Sequence, residues 1–318
     1  MQPNIQEPVS GDAAKLCSAT NPFSVEGMVV LITGGGTGIG FMMAKSLASA
    51  GAVVYIVGRR RDVLERAAEQ INLDGRIIPL QGDITIRDNL LKLSERVRSQ
   101  HGYLNLLINN AGIVRNLYKH PLPSPSSSSS ISEFQAALWN NGSPEGFSET
   151  FGTNVIAPYY MTVAFLELLH AGNLRSQMED GPTPHQFSSH HSSQVLTISS
   201  SGSFRIDPHV VSPSYTLAKA ATTHLGRLLA NLLTPWGIRS NVLAPGVFPS
   251  EMTNIHSPDD VALSPDALAQ AVPLKRAGTE EDMAGTILYL ASRAGAYVNG
   301  AVWLVDGGRV GSVPNSYS

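Results

Sequence analysis

The sequence predicts an α/β fold: a doubly wound parallel sheet of about seven strands flanked by helices, built as a single domain. Two patterns point there. Short apolar runs alternate with amphipathic helical stretches along most of the chain, the order that lays crossover helices on both faces of one parallel sheet. The first of those runs passes directly into a glycine-rich turn and then a helical pattern, the arrangement that opens a βαβ unit.

Taken in order, the strand candidates are Met28–Thr33, Ala52–Val57, Arg76–Gln81, Leu104–Asn109, Val195–Ser199, Arg239–Leu243 and Val302–Val305. They read as largely apolar runs, as strands buried on both faces should. Phe41–Ala48 reads as the first helix, Glu149–His170 as a long helix before the fifth strand, and Pro213–Leu233 as another before the sixth. Ser212 offers an N-cap for that last helix, and Pro213 suits its first position. Right-handed crossovers join the parallel strands. With no internal repeat and no second core, residues 25–318 are expected to form one domain, a size that 318 residues allow.

Three segments depart from this pattern. Residues 1–24 are polar with scattered prolines and are expected to be a loosely ordered arm. Residues 114–148 form an insertion: a low-complexity loop, Pro121–Pro125 followed by serines 126–130, and then the apolar Phe134, Leu138 and Trp139. Residues 172–194 form a second, polar insertion carrying His185, His190 and His191. No ligand spacing on a helix and no cysteine or acidic cluster joins those histidines, so a solvated loop is expected and no metal site.

Composition narrows the functional classes. Hydrophobic residues make up 42%, ordinary for a globular protein. The 22 cations against 25 anions give a net charge of −3 with no basic block, which argues against nucleic acid as a partner. Cys17 is the single cysteine and cannot form an internal disulfide, which fits a reducing, cytoplasmic compartment. Met1–Ser10 has neither a basic start nor an apolar core, so no secretory signal is expected there. No apolar run is long enough to span a bilayer, so no membrane is expected as a partner.

The glycine turn is Thr33-Gly34-Gly35-Gly36-Thr37-Gly38-Ile39-Gly40. Between a buried strand and a helix, glycines let the backbone approach a pyrophosphate closely, and the helix N-terminus offers unpaired N–H groups to its charge. Far downstream stands Tyr215-Thr216-Leu217-Ala218-Lys219. Four residues are about one helical turn, so the two side chains leave the same face. A phenol titrates near pH 10 in water, and an ammonium beside it favours the phenolate. The pair is thus a candidate acid–base device.

These motifs occur in one order: the glycine turn, Asn109-Asn110-Ala111-Gly112, the serines Ser199-Ser200-Ser201, Tyr215 with Lys219, and Pro245-Gly246. In that order they resemble the short-chain dehydrogenase/reductase family, over about Gly27 to Gly308. More narrowly, the stretch from Ala244 to Thr253, with Leu288–Leu290 and Val305–Gly308, resembles fungal reductases of secondary metabolism and 3-oxoacyl reductases. The resemblance implies a Rossmann fold, a nicotinamide dinucleotide, and hydride transfer between it and a ketone or secondary alcohol.

The resemblance also implies roles by position. Gly34, Thr37, Gly38 and Ile39 would hold the pyrophosphate. Asp83 would contact adenine, and Asn109, Ala111 and Gly112 would line the adenosine side, with a structural role for Asn109 equally open. Pro245, Gly246 and Val247 would face the carboxamide, with Ser250 as a hydroxyl partner where the family often has threonine. At the end of the second strand, where an acidic residue would select NAD, Gly58 is followed by Arg59, Arg60 and Arg61. Arginine binds a 2′-phosphate through a charge-assisted fork, so NADP(H) is expected, with Arg59 as its ligand. Thr37 is a departure, since NADP-specific relatives often have a basic residue there. Tyr215 would be the acid or base, and Lys219 would lower its pKa and hold the ribose. Ser200, with Ser201 as the alternative, would polarise the carbonyl, and Asn154 would hold a water linking Lys219 to solvent.

The substrate side is expected to be apolar. Met252, Ile255, Val261, Leu263 and Leu268 would form a lid, and Phe134, Leu138 and Trp139 would rim the cleft, together fitting a bulky ketone or alcohol. Two other functions stay open: a non-redox enzyme on the same fold, such as a dehydratase or cyclase, and a non-catalytic NADP(H)-binding regulator. Val155, Tyr159, Val163, Leu166, Leu217, Leu225, Leu228 and Leu232 put apolar residues on two helices whose outer faces, in the family, meet a two-fold copy, so a homodimer or homotetramer is expected.

Overall fold

The computed structural model describes residues 21–71, 73, 75–179, 192–210, 212–250 and 269–317. Seven parallel strands form its sheet: β1 Val29–Thr33, β2 Val53–Gly58, β3 Ile77–Gln81, β4 Leu106–Asn109, β5 Gln194–Ile198, β6 Arg239–Pro245 and β7 Val302–Val305, in the order β3-β2-β1-β4-β5-β6-β7. All seven expected strands are present, with ends shifted by up to two residues. The order reverses between β1 and β4, so the carboxyl ends of those strands leave a crevice where their connections part.

Period-two alternation along β1 and its neighbours divides the core between two faces. Val30, Ile32 and Ile56 pack with Met43, Leu47, Met283, Ile287 and Leu290 from helices α1 (Gly38–Ser49) and α9 (Glu280–Ala291). Leu31, Tyr55 and Leu107 pack on the other face with Leu93, Met161, Phe165 and Leu229, from α3 (Arg87–Gln100), α6 (Ala157–Ala164), the residue that follows α6, and α8 (Pro213–Leu233). Helix α2 (Arg61–Ile71) completes the first layer through Leu64, Ala67 and Ile71.

Helix α8 spans the expected residues, but the long helix expected over Glu149–His170 is broken. It runs as α5 (Pro144–Phe151), a π turn at Gly152–Ile156, α6, and α7 (Leu166–Glu179). Proline explains the first break. Pro158 has no N–H to bond the carbonyl four residues back, and its ring crowds that carbonyl, which belongs to Asn154. The Thr222 hydroxyl on α8 bonds the Asn154 carbonyl instead, at 2.8 Å.

The second insertion is not all loop, because α7 continues to Glu179. A side chain at Gly172 would collide with the Leu104 carbonyl, so glycine lets α7 lie against the chain entering β4. Asn173 then spans to Ser193, Trp236 and Gly237. His185, His190 and His191 lie outside the described residues. Within the first insertion, α4 (Ile131–Trp139) follows a capping box of Ser130 and Glu133, a local signal the low-complexity reading passed over. None of its residues is buried.

Among the described residues no single helix is long and apolar enough to cross a membrane. The bent pair Pro144–Ala164 and Leu166–Met178 reaches that length only across a 52° break, and it packs on the sheet through Met161, Phe165, Leu168 and Leu169.

Candidate active site

A cleft of about 570 Å³ opens at the carboxyl ends of β1, β2, β4 and β5, where the strand order reverses. The glycine turn forms its floor. Gly34 has φ of +66°, a left-handed conformation that the turn out of β1 requires. A side chain on Gly40 would collide with the Gly34 carbonyl and come within 2.5 Å of Asn110 Nδ2. The turn is therefore closed so tightly that its backbone forms the wall. Thr33 and Asn110 latch it: Thr33 Oγ1 accepts from the N–H groups of Asn110 (2.9 Å) and Ala111 (3.0 Å), and Asn110 Nδ2 donates to the carbonyls of Thr33 (2.9 Å) and Gly34 (3.1 Å).

At one end of the cleft stand Arg59, Arg60 and Asp83. The Asp83 carboxylate accepts from Thr85 N (2.9 Å) and Thr85 Oγ1 (2.7 Å). Burial alone would raise its pKa. The Thr85 bonds and the Arg59 charge more than offset that and hold the carboxyl below its usual range. Arg61 and Arg66 are spent within α2, on Glu65 (2.7 Å) and Asp62 (2.8 Å), while Arg59 makes no ion pair among the described residues.

At the other end, α8 presents Tyr215 and Lys219. Ser212 caps the helix by accepting from Tyr215 N at 3.1 Å, and its hydroxyl donates to Arg115 O at 2.5 Å, which ties the helix start to the loop after β4. Lys219 is 4% exposed, and its ammonium donates to Ile198 O at 2.7 Å. Burial pushes its pKa down to about 8. Burial likewise pushes the Tyr215 phenol up, opposed by a hydrogen bond with the Ser200 hydroxyl. The expectation that Lys219 lowers the phenol is thus not what the protein alone displays: desolvation dominates, and the ammonium lies 5.7 Å from the ring centre with its bond directed to a carbonyl.

Ser200, rather than Ser201, is the serine beside Tyr215. Ser200 caps a short 3-10 turn, Ser201–Phe204, by accepting from Gly202 N at 3.0 Å, and Ser201 is buried in that turn. Asn154 is buried on the π turn, where single-turn π segments often mark functional sites. Its side chain pairs with the backbone of Ile113, accepting at 2.8 Å and donating at 2.9 Å. It flanks Gly112 together with Lys219: a Cβ on Gly112 would lie 3.2 Å from Asn154 Oδ1 and 3.5 Å from Lys219 Nζ.

Gly34, Thr37, Gly38, Ile39, Arg59, Asp83, Ala111, Gly112, Tyr215, Lys219 and Ser250 line the cleft, whereas Ser200 and Asn154 stand behind its lining. Asn109 does not. Its side chain points into the core and donates to Thr162 Oγ1 at 3.1 Å, so its role in the described structure is to fix β4 against α6. Alternation along the strand turns the neighbouring Asn110 to the cleft, and that residue was missed. Pro245, Gly246 and Val247 also stand outside the cleft. Gly246 packs against Asp306, where a Cβ would be 2.6 Å from Asp306 Cα, and Val247 lines a separate cavity of about 240 Å³. Phe134, Leu138 and Trp139 do not line the cleft, because the insertion reaches it only through Val114 and Arg115. The lid residues Met252, Ile255, Val261, Leu263 and Leu268 lie outside the described residues. Among the described residues no cluster of histidine, cysteine or carboxylate could hold a metal.

A parallel sheet with a glycine-walled crevice at its reversal, faced by a Tyr–Lys helix, defines a class of dinucleotide-dependent enzyme folds. Comparison narrows it. Residues 34–309 match the family profile described as Enoyl-(Acyl carrier protein) reductase. Short-chain dehydrogenase/reductase PhomF of Diaporthe leptostromiformis is 42% identical over 303 residues, 94% of this chain and 97% of that protein. Among solved structures, the Pseudomonas aeruginosa RhlG/NADP active-site complex superposes with a TM-score of 0.73 at 28% identity, covering 92% of this chain and 100% of the other. The Brucella melitensis 3-ketoacyl-(acyl-carrier-protein) reductase complexed with NADH gives 0.70 at 26%, covering 90% and 100%. The chain belongs to the short-chain dehydrogenase/reductase family, and a nicotinamide cofactor is the one its neighbours carry.

The tight glycine turn is directly testable. Gly40→Val forces the Gly34 carbonyl and Asn110 apart, so nicotinamide cofactor affinity should fall by more than about tenfold, or 1.4 kcal/mol. Fluorescence titration measures this, with a thermal melt to verify that the fold survives. Affinity within twofold of the parent would show that the turn is not the cofactor cradle.

Proposed function

We propose that the protein is an NADP(H)-dependent oxidoreductase that transfers a hydride between nicotinamide and a ketone or secondary alcohol, with Tyr215 as acid or base. One observation carries the reading: Tyr215 and the buried Lys219 line the same cleft whose far end presents Arg59 and no carboxylate at Gly58, and Tyr215 shares a hydrogen bond with Ser200. The closed glycine turn fits a pyrophosphate, since its glycine backbone lines the cleft and a Cβ at Gly40 would push apart the Gly34 carbonyl and Asn110 that close it. When bound, the cofactor would supply or accept the hydride.

The chain's own groups then account for the proton and the charge. In the reductive direction Ser200 Oγ donates a hydrogen bond to the substrate carbonyl and steadies the negative charge growing on its oxygen. Tyr215 gives its phenolic proton to that oxygen as the alcohol forms. The Lys219 ammonium stabilises the phenolate left behind, and Asn154, fixed to Ile113 beside Gly112, would hold the water that returns a proton from solvent. Oxidation of the alcohol reverses each step.

Arg59 supports NADP(H) as the preferred form. Its guanidinium stands at the cleft wall beside Asp83, so a 2′-phosphate there would take over a cation already placed. The substrate class is a bulky ketone or alcohol, and a place in fungal secondary metabolism goes with the resemblance to reductases of that kind. Assembly as a homodimer or homotetramer is supported by the outer faces of α6 and α8. Tyr159, Val163, Leu217, Leu228 and Leu232 are exposed there, whereas Leu225 is consumed by the core.

Three outcomes test these parts. Tyr215→Phe should cut turnover about two orders of magnitude or more while cofactor still binds, and near-normal turnover would remove the acid–base role. Arg59→Ala should weaken NADPH about tenfold or more and leave NADH nearly unchanged, since a charge-assisted bond contributes about 1.5–3 kcal/mol. Equal affinity of the unaltered protein for both cofactors would count against the preference. Light scattering during size exclusion at micromolar concentration should give a multiple of the 33.8 kDa chain mass, and a single species at that mass would refute assembly.

A further inference from the structure

Tyr215 and Lys219 are followed on α8, one further turn along the same face, by Thr223. Its hydroxyl is buried and meets the serine segment on both sides of Ser200. Thr223 Oγ1 lies 2.6 Å from Ser199 Oγ and 3.2 Å from Ser203 Oγ, and it also reaches Lys219 O at 3.0 Å. Ser199 Oγ donates to the same Lys219 carbonyl at 2.9 Å. All three hydroxyl residues are at most 8% exposed. The preceding residue faces another way: Thr222 bonds the Asn154 carbonyl. Two adjacent threonines thus tie α8 to two different parts of the site.

We infer that Thr223 is a positioning residue for Ser200, its hydroxyl pinning the residues before and after that serine to the turn of α8 that carries Lys219. The inference rests on the roles given above to Ser200 and Tyr215. Ser200 has its own side chain committed to capping the turn Ser201–Phe204, so its direction follows the turn. Ser203, within the turn, meets α8 on one side of Ser200, and Ser199, which follows β5, meets it on the other. Thr223 is the group common to both. Catalytic groups must be held to a fraction of an ångström, and a short turn capped by the reacting serine does not achieve that alone. A bond from each flank to one rigid helix does.

Thr223→Val keeps the branched shape and removes the hydroxyl; Thr223→Ser keeps the hydroxyl. With a carbonyl substrate and NADPH, the valine variant should lose about tenfold in kcat while the NADPH dissociation constant stays within twofold, and the serine variant should stay within twofold of the parent. Ser203→Ala removes one of the same links from the other side and should also lower kcat. The double variant should be no slower than the slower single one, because one linkage is being broken twice. If the valine variant does not fold, Ser203→Ala with intact NADPH binding decides. A valine variant with parental kcat, or a serine variant as impaired as valine, overturns the positioning role. Tyr215→Phe in the same assay separates the two levels: its retention of turnover would remove the parent reading, whereas a parental Thr223→Val beside an inactive Tyr215→Phe would remove only this one.

Discussion

A buried ammonium organises this site. Lys219 is almost wholly removed from water, and the hydrogen bond it makes is to a backbone carbonyl, that of Ile198. Burying a cation without a carboxylate is costly, and the depression of its pKa to about 8 expresses that cost. Helix α8 lies across the end of β5, Gly112 and Asn154 close one side, and the serine turn closes another. A cation that is costly to bury at rest, in a family that binds anionic dinucleotides, is poised to gain from whatever polar groups enter the cleft.

The second constraint is a helix that cannot continue. Pro158 leaves the Asn154 carbonyl without its backbone donor, the chain widens into a π turn, and Thr222 supplies the missing bond from α8. Through this one repair, the helix bearing Tyr215 and Lys219 and the segment bearing Asn154 share a hydrogen bond. Their spacing is therefore set by backbone chemistry, independently of any ligand. The same logic operates at the glycine turn, where Thr33 and Asn110 bind β1 to β4 and fix the turn from below.

The charges of the cleft are segregated. Arg59, Arg60 and Asp83 stand at one end, Tyr215 and Lys219 at the other, with the glycine turn between them. The Thr85 bonds and the nearby Arg59 charge hold the Asp83 carboxyl below its usual range although burial opposes them. So near solvent, such an attraction is worth little to stability. The end with the buried amine is the one where burial moves titration furthest, lowering Lys219 and raising Tyr215.

Local signals determined much of this protein from sequence alone. The seven strands, the glycine turn and helix α8 follow from runs, periods and caps within a few residues, because those features depend on neighbouring side chains. Tyr215 and Lys219 on one face needed only the helical period. What the tertiary structure decided was every matter of facing and distance. Asn109 and Asn110 are adjacent and chemically identical, yet strand alternation sends one into the core and the other to the cleft. Ser200 caps the 3-10 turn in which Ser201 is buried, and that turn meets α8 through Ser203 and Thr223, 20 residues apart in sequence. Gly172 opens the polar insertion in sequence, but the Leu104 carbonyl lies where its Cβ would be, and the helix runs on past it. The helix expected over Glu149–His170 breaks ahead of Pro158, and the group that bonds the freed Asn154 carbonyl is 68 residues from Asn154. A sequence encodes propensities over short spans, whereas burial, pKa and the partner of an orphaned carbonyl depend on which distant surfaces meet.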